Sequence, residues 1–169
     1  MKTQNFVTFS GPMSYTKGYK YQLYDSLSVF IPALVTYGSV TSRYVTLGDG
    51  LLVISRHWAW DGASGPTIDT KSSMRASCVH DAIYYLIRQG LLPPEAKEIA
   101  DELLHDICLI DEMWHWRADI WYDGVDHLAS AAADPKNKKK VYSVGFKFPL
   151  KMEGVVGLEP TYLDSKSST

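Results

Sequence analysis

The chain has few of the features that classify a protein quickly. It holds two cysteines in 169 residues, too few for a disulfide framework. Cys78 and Cys108 fall on what read as neighbouring helices, so one bridge is open to them; reduced thiols of a cytosolic product are the expectation. No run of about 18 apolar residues occurs, so nothing is expected to span a membrane. The opening MKTQNFVTFSGPMSY carries no apolar core of the secretory kind, so no signal peptide is expected. A large excess of charge of one sign is also missing. The formal net charge is −2, which supplies no global field to draw the protein to nucleic acid. The one basic run, KNKKK at 136–140, reads as a solvated loop. There is no internal repeat and no low-complexity domain.

What is present fits a folded protein. Hydrophobic residues make up 46 % and charged residues 21 %, with five Trp and eleven Tyr. The length suits a single domain over 1–169 that buries a core without metal or disulfide staples. Residues 1–60 read as strands. YKYQLYDSLSVFI is aromatic and β-branched, and SRYVTL-GDG-LLVISRHWAW is a strand, a tight turn and a second strand. Residues 61–71 are a glycine-rich loop. Residues 72–133 are helical. A first helix capped by Ser72 or Ser73 runs to about Gln89 and stops at Gly90. A second opens at Pro93-Pro94, and a third spans about 115–132. Residues 134–169 hold a late strand, KVYSVGFKF, and a polar tail. The expected class is α+β: an N-terminal antiparallel β part with a hairpin, an antiparallel helical hairpin, then a third helix.

The first helix raises the chemical question. In RASCVHDAIYYLIRQG, His80 and Tyr84 are i and i+4 and share a face, while Asp81 is turned about 100° away. A short connection after Gly90 implies an antiparallel partner, which brings Asp101 of IADELL level with His80. An acid there orients the imidazole and raises its basicity. Asp81 then remains for a cation on the loop side, where carboxylate and backbone carbonyls suit a hard ion such as calcium.

The spacing of VHDAIYYLIRQG and the later Ala-Asp resembles the catalytic helix pair of the phospholipase A2 families, especially the short phospholipase domains of parvovirus capsids. The wider pattern of LLVISRHWAWDGASGP, RASCVHDAIYYL, ADELL and RADIWYDGV resembles a domain family of unknown function common in tailed bacteriophage genomes. The phospholipase resemblance implies that His80 is the general base that activates a water. It implies that Asp101 holds the other ring nitrogen and that Tyr84 bonds within the network. Asp81 would ligate calcium, completed by carbonyls near Gly62, Ser64 and Gly65. The wording WDGASGPTID differs from the usual calcium loop and adds Asp61 and Asp69. The resemblances together imply a phage-encoded hydrolase of the host cytoplasm or virion, acting on a lipid or cell-envelope substrate.

Three other readings stand beside it. His80, Asp81 and Tyr84 form a core polar cluster in a non-enzymatic virion or tail component that meets other virion proteins. Alternatively, His80, Asp101 and His105 bind zinc for a peptidoglycan or amide hydrolase, since Asp101 and His105 are i, i+4. A nucleophilic serine in DGASG is the weakest, because the G-x-S-x-G elbow is missing. Trp58 and Trp60 are expected in the core rather than at a lipid interface, and Trp114, Trp116 and Trp121 are expected to pack. Cys78, two residues before His80, points elsewhere on the helix.

Overall fold

The computed structural model describes residues 8–9, 13, 15–16, 21–63, 69–128 and 133–137. The chain divides into Met1–Lys139, which carries every described element, and Lys140–Thr169. Among the described residues eight short strands come first: β1 (Thr8–Phe9), β2 (Tyr15–Thr16), β3 (Tyr21–Leu23), β4 (Leu27–Phe30), β5 (Val40–Thr41), β6 (Val45–Gly48), β7 (Leu51–Ile54) and β8 (Ala59–Trp60). Three helices follow: α1 (Lys71–Arg88), α2 (Ala96–Ile110) and α3 (His115–Leu128). The class is α+β with antiparallel sheets, as the sequence leads one to expect. The late strand KVYSVGFKF and the polar tail lie outside the described residues.

A five-stranded sheet runs β1-β4-β7-β6-β5, and a three-stranded one runs β2-β3-β8. Alternation decides which side of the larger sheet is the core. Leu27 and Val29 face Ile54 and Leu52 across β4 and β7, and Val45 and Leu47 face the same pair across β6 and β7. All six are buried, so one face carries a continuous apolar layer while Ser28 and Thr46 take the other. The β6–β7 turn has positive φ at both Asp49 (48°) and Gly50 (79°), the twist a two-residue hairpin demands. A side chain on Gly50 would come within 2.9 Å of the Ile31 carbonyl, so this position has no room for one.

The strand after that turn does not continue to Trp60, as its composition suggests. It ends at Ile54, and His57 adopts φ 69°. The Arg56 amide donates to Ser26 Oγ and the His57 amide to the Leu23 carbonyl. The chain thereby leaves one sheet and enters the other, where Trp60 pairs with Tyr21. Both tryptophans go into the core, as expected. The Trp58 ring stands edge-on to Tyr85, and Trp60 Nε1 donates to Ser77 Oγ at 3.1 Å. These contacts seat β8 on α1.

Helix α1 starts one residue earlier than Ser72. Its cap is Thr70, in an extended conformation, whose amide donates to Ser73 Oγ at 2.9 Å. Ser73 therefore serves at the third helical position, not as the cap. The helix is buried nearly all round, which marks it as the central element between sheet and helices. It stops where Gly90 takes φ 71°. Cross-helix pairs fix the direction of α2: Arg75 bonds Asp111 in a fork while His80 and Tyr84 bond Asp101. Numbers rise on one helix as they fall on the other, so the two are antiparallel. Trp121 of α3 is fully buried, but Trp114 and Trp116 are 71 % and 58 % exposed, which corrects the expectation that all three pack. They flank the start of α3, where the chain has left the α2 core face after Met113.

Candidate functional site

The antiparallel pairing of α1 and α2 puts a histidine, a tyrosine and a carboxylate at one level. His80 and Tyr84 are one turn apart on the α1 face that meets α2, and their rings lie 4.0 Å apart between centroids, tilted by 37°. Asp101 comes from the facing turn of α2. Its side chain accepts three hydrogen bonds: from His80 Nε2 at 2.8 Å and Tyr84 OH at 2.7 Å on Oδ1, and from Lys97 Nζ at 2.6 Å on Oδ2. Asp101 is 1 % exposed and His80 is 6 % exposed. Such burial of a carboxylate is tolerable only because both oxygens are satisfied and a cation offsets the charge.

The protonation pattern follows from the partners. Burial pushes the Asp101 carboxyl up, but the bonds from His80, Lys97 and Tyr84 outweigh it and hold it below the ordinary value of 3.8. An ionised carboxylate can only accept, so His80 donates from Nε2. The neutral imidazole then has its lone pair on Nδ1. That nitrogen lies 3.6 Å from Asp81 Oδ1, beyond hydrogen-bond range but close enough for charge to act. Burial lowers the proton affinity of His80, while the bond to Asp101 and the nearby Asp81 carboxylate raise it, and the net shift is upward from 6.5. The arrangement is a buried imidazole oriented at one nitrogen, with a basic lone pair at the other facing a partly exposed acid.

The residues singled out from sequence thus divide. His80, Tyr84 and Asp101 meet directly, and Asp81, with its side chain 31 % exposed, stands beside the open nitrogen. Gly62 is described; Ser64 and Gly65 lie outside the described residues. Gly62 has φ 82°, and Asp69 fills the space where its side chain would go, with Oδ1 accepting from the Ala63 amide at 2.7 Å. Asp69 therefore ties down the entrance of the loop. For a hard cation, the described part of the site supplies one suitable anionic ligand, the Asp81 carboxylate, and the loop carbonyls would have to supply the others.

His105 does not join His80. It turns to α3, where Nε2 bonds Asp119 Oδ1 at 2.8 Å, with Asp106 3.6 Å from Nδ1. Among the described residues no group of three or more His, Cys, Asp or Glu side chains is placed to hold a metal ion. Cys78 and Cys108 are free and buried. Burial holds the Cys78 thiol well above its ordinary range and pushes Cys108 up to about 12, so neither is an activated nucleophile.

Sequence reasoning missed Lys97. The signal was there in its spacing, since a lysine four residues before an aspartate shares its helix face. A cavity of about 590 Å³ opens at the other end of the helix pair, against Met74, Arg75, Ile110 and Asp111. Its lining does not include His80. No described helix is long and apolar enough to cross a membrane. No family model, no curated protein and no solved structure matches the chain.

Proposed function

We infer that the protein is a hydrolase whose chemistry resembles that of phospholipase A2, with an ester as the bond cut and a phage as its source. The observation that carries this reading is the buried His80–Asp101 pair, closed at Nε2 and open at Nδ1. In the proposed reaction, Nδ1 takes a proton from water as that water attacks the ester carbonyl, and the resulting imidazolium is stabilised by Asp101. The same proton then goes to the leaving alkoxide. Tyr84 acts through Asp101, holding Oδ1 where Nε2 meets it. A calcium ion at Asp81 would supply Lewis-acid stabilisation of the oxyanion. A zinc site built from His80, Asp101 and His105 would require His105 to leave Asp119 and Asp101 to give up a donor.

A structural reading is the second. It is favoured by the position of the 590 Å³ cavity, which is lined by residues other than His80. In that reading the cluster ties α1 to α2 in a virion or tail component. The deciding experiment is fatty-acid release from mixed phospholipid micelles, with calcium and with chelator, by wild type, His80→Gln and Asp81→Asn. Calcium-dependent release lost in both variants supports the hydrolase. No release by a folded wild type across anionic and zwitterionic lipids would leave the structural reading.

A further inference from the structure

We propose that Lys97 is a positioning residue of this site: its ammonium holds Oδ2 of Asp101, so that Oδ1 stays turned to His80 and Tyr84 and the imidazole keeps its proton on Nε2. The inference rests on the hydrolase reading for its catalytic meaning, but its geometric content stands independently of it.

The argument begins with the acceptor. A carboxylate has two oxygens, and at Asp101 the work is divided between them. Oδ1 takes both His80 Nε2–H and Tyr84 O–H, and Oδ2 takes Lys97 alone. With the side chain 1 % exposed, water is a poor substitute for a lost donor on Oδ2. Without the lysine the carboxylate gains by rotating to share its remaining donors between both oxygens, since a buried oxygen without a donor is costly. That rotation moves Oδ1 from the line on which Nε2 and Tyr84 OH converge. Lys97 also supplies the compensating charge. Asp101 is anionic, Lys97 cationic, and Tyr84 and the resting imidazole neutral, so the buried group sums to zero.

The position of Lys97 suits this role. It lies four residues before Asp101 on the same helix, so the pair is local and needs no other element to align it. Its side chain is 19 % exposed. The ammonium thus reaches a buried carboxylate oxygen from a side chain that keeps some exposure. Lys97 meets the site at Oδ2 of Asp101, so its influence on the imidazole passes through that carboxylate.

The test is the side-chain ¹⁵N spectrum of His80 in the full chain at mildly alkaline pH, assigned by its loss in His80→Gln. Wild type is expected to show one neutral tautomer protonated on Nε2. Lys97→Met keeps the stem and removes the donor; a mixture containing the Nδ1–H tautomer is expected. Lys97→Arg restores a donor and a charge, so a return to the wild-type signature is expected. Lys97→Gln, with a neutral donor, provides a second folded comparison. A single Nε2–H tautomer in Lys97→Met overturns the proposal, as does a Lys97→Arg spectrum equal to that of Lys97→Met. In the hydrolytic assay, Lys97→Met should lose kcat by about tenfold with KM unchanged, in the range typical of groups that orient a functional histidine. If the tautomer responds as expected and wild type hydrolyses nothing, the positioning holds and the hydrolase reading fails.

Discussion

Replacing Asp101 by asparagine probes the centre of the site with the smallest change of shape. The amide keeps one acceptor and exchanges the other for an N–H donor. All three partners of Asp101 donate: His80 Nε2, Tyr84 OH and Lys97 Nζ. The best the amide can do is leave its oxygen toward His80 and Tyr84 and turn its NH₂ on the lysine ammonium. Two bonds then lose their charge assistance and the third becomes a repulsion. Removing one member of a buried ion pair costs about 3–5 kcal/mol. The Lys97 side chain is partly exposed and can swing to water, so the expected loss is at the lower end, about 3 kcal/mol. Equilibrium urea unfolding at neutral pH, followed by tryptophan fluorescence, measures it. The slope should be unchanged, since the exposed surface is the same. A change smaller than about 0.5 kcal/mol, the range of surface substitutions, would falsify the buried three-donor network.

The pH dependence of the same comparison has a fixed sign. Asp101 is held below 3.8 in the folded protein. Its contribution to stability is complete above that value and is lost as the pH falls through the folded one. The gap between wild type and Asp101→Asn should therefore narrow in acid. His80 runs the other way. Its folded value is raised, so its contribution is complete below 6.5 and is lost as the pH rises through the folded value. The variant should lose much of that term too.

Three further outcomes are expected. If the protein is a hydrolase with His80 as base, the rising limb of kcat/KM against pH should be centred above 6.5, and Asp101→Asn should move it to lower pH; a limb centred below 6.5 in wild type would contradict the assignment. Neither Cys78 nor Cys108, both buried, should react with maleimide in the native state, and both should react in urea, counted by mass spectrometry. Trp121→Ala should cost about 3–5 kcal/mol, whereas Trp114→Ser and Trp116→Ser should each stay within about 0.5 kcal/mol, because only the first is buried; calorimetric melts of the three variants make the comparison.

The parts of this site that sequence foretold are those that depend on period and direction alone. His80 and Tyr84 share a face because they are four apart. Asp101 comes level with them because Gly90 stops one helix and a short connection reverses the next. The hairpin was legible for the same kind of reason: Gly48-Asp49-Gly50 supplies two residues at positive φ between alternating strands. Reading failed where a local choice depends on distant partners. His57 at positive φ ends a strand that composition would continue, and the reason lies in Leu23 and Ser26, more than thirty residues away. Trp114 and Trp116 are as apolar as Trp121, and only packing sets them outside. Lys97 is the instructive case, because its spacing was visible and its meaning was not. An i, i+4 pair on a helix is ordinarily a weak surface contact. It becomes decisive only when its acid is buried against another helix, and that burial is fixed by α1. A histidine–acid motif therefore identifies a candidate pair, while a count of the donors on the acid identifies which neighbour the pair depends on.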